Sequence, residues 1–165
     1  MKTFSQHPIP VRFLLLLLAL SFSASLSHAQ TLEDVKARFV GYYELVSFVS
    51  FPNSGGEVRN DYIGRIIYDG HDNMSAIGMP RDAPDSARRA GAAGSQGFAY
   101  WGKVSWDVEQ GIVIHHVEGS PTRNTWVGED NIRYYELDGN LLRLSLRDEA
   151  GRTTGTLTWR KIDSD

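Results

Sequence analysis

From Tyr42 to Ile162 apolar and polar residues alternate with a period of two in eight short runs: 42–51, 63–68, 74–79, 98–108, 112–118, 131–137, 141–146 and 156–162. Successive side chains of a strand leave opposite faces, so each run predicts a β-strand with one buried face. The runs are rich in Val, Ile, Tyr, Phe and Trp, and Asp69-Gly70, Gln110-Gly111 and Asp138-Gly139 between them suit tight hairpin turns in which φ is positive. Sequential neighbours should therefore pair antiparallel. Strands joined so regularly either stack as two sheets or close into a barrel, and closure removes the exposed edges. The expected fold is all-β: an antiparallel up-and-down barrel of roughly eight strands.

Two segments depart from this rhythm. Thr31 to Arg38 reads as a turn or two of helix, with Thr31 as cap and Leu32, Val35 and Phe39 on one side, placed to plug or cover something. Residues 80–97 carry two prolines, three arginines and an Ala/Gly-rich stretch. A loop this long inside a compact domain is functional or mobile as a rule, and a lid over one barrel mouth is one reading of it.

Ahead of the domain, Lys2 and Arg12 precede an unbroken apolar stretch from Phe13 to Leu20, then small residues ending Ser27-His28-Ala29. This is the charged, apolar and cleavage layout of a secretory signal. The apolar run is about half the roughly 20 residues that a membrane-spanning helix needs. Residues 1–29 are thus expected to be a signal peptide and 30–165 one exported domain, periplasmic or extracellular, with no stable membrane span after cleavage. Loss of Lys2 and Arg12 leaves 15 basic against 20 acidic residues. That mild acidity argues against nucleic acid, whose binders carry a basic patch or stripe. The chain has no cysteine, so packing alone must hold the exported domain.

On 98–106 one face carries Phe98, Tyr100, Gly102, Val104 and Trp106, which makes it the interior; Gly102 in mid-strand suits a barrel kink or a close backbone approach. On 112–118 both faces are partly apolar. Of the adjacent His115 and His116, one points in and the other out, and alternation does not say which. An inward His116 would share its face with Glu118, which could orient the imidazole; an inward His115 would sit among valines as a satisfied interior histidine. Arg133 either joins an inward histidine and Tyr100 in a polar cluster inside an apolar tube, or lies outside in an ion pair with Glu118 or Glu136. Three histidines remain after cleavage, with His71 far from the other two in sequence, so neither a metal site nor a cofactor is expected. The serines are scattered and no Gly-x-Ser-x-Gly occurs, which leaves serine hydrolase chemistry without support.

Taken together, Gly41-Tyr42-Tyr43-Glu44-Leu45-Val46-Ser47, Gly64-Arg65-Ile66-Ile67-Tyr68, Met74-Ser75-Ala76, His115-His116-Val117-Glu118, Trp126-Val127-Gly128, Arg133 and Leu157-Thr158-Trp159 resemble the bacterial and fungal lipocalin-like domain family. The resemblance spans nearly all of residues 40–162. It implies a calycin-type barrel with an internal cavity, and little about chemistry. Lipocalins in the broad sense carry Gly-x-Trp on the first strand, with a basic residue near the chain end packed over the Trp. Here Tyr43 takes the tryptophan position, and Arg160 or Lys161 could supply the cation.

The expectation is an exported module, monomer or homodimer, that binds a small hydrophobic or amphipathic molecule. Tyr68, Tyr100, Trp126 and Tyr135 would form the walls, with His115 or His116, Glu118 and Arg133 as polar groups. Two alternatives are a cavity enzyme of the isomerase or cyclase type, with an inward histidine as acid or base, and a structural or partner-binding role in the envelope.

Overall fold

The computed structural model describes residues 30–82 and 97–162. The expected signal segment and most of the expected lid lie outside those residues. Eight strands close into an antiparallel barrel: β1 (Gly41–Ser50), β3 (Tyr62–Tyr68), β4 (Asn73–Pro80), β5 (Phe98–Asp107), β6 (Ile112–Gly119), β7 (Asp130–Asp138), β8 (Leu141–Arg147) and β9 (Thr153–Lys161), with β9 pairing back onto β1. A ninth strand, β2 (Val58–Asn60), pairs with Phe48–Ser50 at the far end of β1. Its three residues are too few and too polar to show alternation.

Helix α1 (Leu32–Phe39) is set by a reciprocal cap. The Thr31 hydroxyl accepts from the Asp34 N–H, while the Asp34 carboxylate accepts from the Thr31 N–H. Val35 and Phe39 of α1 are fully buried, and Leu32, expected on the same side, is exposed. The Phe39 ring meets Tyr68, Trp106 and Tyr135 edge-on at centroid distances of 5.1, 5.6 and 5.2 Å. These partners come from β3, β5 and β7, so α1 plugs one end of the barrel.

The seal at this end continues through Tyr43, whose hydroxyl donates to the carbonyls of Arg38 and Phe39. Lys161 supplies the cation: its Nζ stands 5.5 Å from the Tyr43 ring centroid and donates to the Arg38 carbonyl at 3.0 Å. Arg160 faces outward and pairs with Glu44. Gly41 suits this position because its φ of +150° is a conformation that residues with a side chain rarely adopt.

The hairpin glycines Gly111 and Gly139 adopt positive φ as expected, but the turn after β3 does not use Gly70 in that way. Asp72 takes the left-handed conformation, at φ 57°. The Asp69 carboxylate organises the turn, accepting from His71 N–H and from both the backbone and side-chain N–H groups of Asn73. Bonding to Asn73 and His71 holds that carboxyl down at about 2.

Gly102 lies at a register shift between β5 and β6. A Cβ there would come 1.9 Å from the His116 carbonyl oxygen, so it is the neighbouring strand that needs the glycine.

Candidate functional site

Beyond the plugged end, side chains from β1, β3, β5, β7, β8 and β9 leave a cavity of about 180 Å³. Its apolar walls include Ile66, Phe98, Trp126, Leu144, Leu157 and Trp159. Tyr100, Arg123 and Arg133 are the polar groups that matter most in its lining. The inward face of β5 delivers Phe98 and Tyr100, as alternation predicts. On β7, Ile132 is exposed and Arg133 is half-buried, so the inner face is the one that carries Arg133.

Behind Tyr100, between the cavity and α1, His115 is completely buried. Its Nδ1 lies 2.9 Å from the Tyr100 hydroxyl and its Nε2 lies 2.9 Å from the Tyr68 hydroxyl. Arg133 donates to the Ile132 carbonyl at 2.8 Å, and its charge acts on Tyr100, which lines the same cavity. A neutral imidazole has one donor and one acceptor nitrogen, so one of the two hydroxyls accepts from the ring and the other donates to it.

Burial sets the protonation of this cluster, and Arg133 adjusts it. Desolvation holds His115 well below the usual imidazole range, and the charges of Arg133 and His116 push the same way. Desolvation raises Tyr68 far above the usual phenol value. It also raises Tyr100, where the Arg133 charge acts in opposition. At neutral pH the cluster is two phenols and a neutral imidazole beside one cation.

The eight residues singled out from the sequence divide into three groups. Tyr100, Trp126 and Arg133 line the cavity, with the Trp126 ring 5.5 Å from Tyr100 and edge-on to it. Tyr68, His115 and Tyr135 face inward but belong to the second layer and the α1 plug. His116 and Glu118 are on the outer wall, two residues apart on one face of β6, and neither reaches the cavity. This corrects the reading of His116 and Glu118 as cavity groups: strand pleating that turns His115 inward turns both of them out.

His116 is held outside by Asp130 Oδ1 at 2.6 Å from its Nδ1 and by Ser105 Oγ at 2.8 Å from its Nε2. Three strands thereby contribute a Ser-His-Asp chain that the scattered serines of the sequence did not suggest. It stitches β5, β6 and β7 across the outer surface.

Arg123 was not anticipated as a cavity residue. It precedes a short 3₁₀ turn (Asn124–Trp126), and its guanidinium lies 5.6 Å from the Trp126 ring centroid. The cation three residues before an aromatic, in a loop that Pro121 keeps out of the sheet, was the available signal. Among the described residues no three His, Cys, Asp or Glu side chains gather as metal ligands, and no helix is long and apolar enough to cross a membrane.

Comparison with known families decides the kinship. The family model described as the lipocalin-like domain matches residues 40–162. The chain belongs to this family. Among solved structures, a lipocalin-like protein from Bacteroides uniformis is similar at 15% identity and a TM-score of 0.47, over 76% of this chain and 99% of that one. No curated protein matches the chain. The lipocalin-like match begins just before β1 and ends just after β9, so it takes in the whole barrel and leaves α1 outside.

Proposed function

We propose that this lipocalin-like protein is exported and holds a small apolar or amphipathic molecule inside its barrel. One observation carries the reading: the space of about 180 Å³ has predominantly apolar walls and a few fixed polar groups on one side, the usual construction of a small-molecule site. Export rests on the N-terminal pattern of Lys2, Arg12 and the run from Phe13 to Leu20.

The placement of His115 favours holding a ligand over acid–base catalysis. Both ring nitrogens already have tyrosine partners, and the ring does not line the cavity. A general acid or base has to come within hydrogen-bond reach of the group it serves.

Native mass spectrometry and quenching of tryptophan fluorescence against a panel of small lipids and metabolites test the reading, because Trp126 and Trp159 both border the space. A panel member should bind at 1:1, and Leu144→Trp, which fills the space, should weaken that binding at least tenfold while far-UV circular dichroism stays unchanged. Indifference of every panel ligand to that substitution would remove the cavity as the site.

A further inference from the structure

Arg133 and Arg123 share a setting that no other described arginine has. On the outer wall Arg59, Arg65, Arg81, Arg143, Arg152 and Arg160 each have an Asp or Glu within 4 Å. Among the described residues Arg38, Arg123, Arg133 and Arg147 have no such partner; Arg38 donates to the Leu137 carbonyl and Arg147 lies over the Tyr134 ring, while Arg123 and Arg133 line the cavity. Among the described residues no Asp or Glu is part of that lining. The chain has 20 acidic residues, so the shortage is one of placement.

The groups nearest Arg133 do not balance its charge. Tyr100, His115 and Tyr68 are neutral at neutral pH, and the Tyr100 oxygen offers only a dipole. A guanidinium taken partly out of water without a counter-charge carries a desolvation cost that an anion of fitting shape would offset. A carboxylate fits best, since its two oxygens match the parallel N–H groups of the fork. The remaining polar inventory agrees: the indole N–H of Trp159, another lining residue, is a buried donor without an acceptor.

Size and wall chemistry narrow the other end of the ligand. An apolar cavity of about 150 Å³ accepts a benzene molecule. The space here is about 180 Å³, and Phe98, Tyr100, Trp126 and Trp159 present rings around it. It fits one ring or a short chain with a small head group attached.

We infer that the preferred ligand is a small monocarboxylate, its acid group held by Arg133 and its aromatic or short aliphatic body held by the ring-lined walls. The inference rests on the proposal that the cavity binds small molecules, and the test separates the two. Phenylacetate, phenylacetamide and phenethylamine share one body and differ in head charge. Their binding to the mature protein is read by isothermal titration calorimetry at pH 7.

Phenylacetate should bind at least about tenfold more tightly than phenylacetamide, the ratio expected for one charge-assisted pair, and phenethylamine should bind least. Arg133→Gln should abolish the preference for the acid over the amide, and Arg133→Lys, which keeps the charge but not the fork, should retain part of it. Equal affinities for acid and amide in the unaltered protein, or a preference that survives Arg133→Gln, overturn the inference and leave the cavity proposal standing. Absence of binding by all three compounds overturns the inference, and the ligand panel with Leu144→Trp then decides the cavity proposal. Should Arg133→Gln fail to fold, the acid-to-amide ratio in the unaltered protein and in Arg133→Lys decides the matter.

Discussion

His115 concentrates the consequences of burial in one side chain. It is neutral in the folded protein because desolvation, Arg133 and His116 all oppose its protonation. Once unfolded it titrates near the ordinary value of 6.5. Below that pH the unfolded chain takes up a proton that the folded chain refuses, so stability must rise with pH there. The contribution of His115 is complete above about pH 6.5 and falls by up to about 1.4 kcal/mol per pH unit below it, until the depressed folded-state value is reached. Urea unfolding at pH 7.5, 6.5 and 5.5 should show this decline, and His115→Gln, whose amide can face both hydroxyls, should lose the His115 share of it. Identical slopes in the two proteins would show that some other group sets the acid sensitivity. The His115-His116 pair left an inward, satisfied His115 as one alternative but could not name its partners, because the two hydroxyls that occupy the ring come from β3 and β5.

At the scale of elements, α1 shows how far local signals carry. Thr31, Val35 and Phe39 announced a capped amphipathic turn, and the structure gives that turn a place as the end plug. Phe39 carries most of the plug, since three rings close around it. Phe39→Ala should cost about 3–5 kcal/mol, the range for truncating a buried phenylalanine. Chemical denaturation would register it as a lower midpoint with an unchanged slope, and a loss under about 1 kcal/mol would mean that α1 is not part of the cooperative structure. The elements that went unread have physical reasons too. Strand β2 exists because β1 offers it an edge, and the turn after β3 is organised by the Asp69 carboxylate where a glycine in the left-handed conformation was expected.

For the molecule as a whole, closure of β9 onto β1 makes every barrel strand depend on two neighbours. Such a barrel has no free edge from which to fray, so unfolding should be cooperative. Far-UV circular dichroism and tryptophan fluorescence should report coincident urea transitions for residues 30–165, with Trp126 bordering the cavity and Trp106 packed against Phe39 of α1. Transitions separated by more than their widths would instead mean that the plugged end and the cavity end unfold independently.

The sequence by itself determined the strands, most of the hairpins, the capped helix and the inner face of β5, because alternation, turn chemistry and capping act between residues a few positions apart. The family resemblance of residues 40–162 was legible for a similar reason, since it rests on the order of short motifs. Only the tertiary structure decided which histidine faces inward, that Arg133 lines a cavity and lacks an acidic partner while Glu118 stays outside, and that Arg123 joins Trp126 in the lining. Those outcomes depend on barrel closure, which brings side chains from five or more strands to one place, and no local pattern encodes which distant residues will meet there.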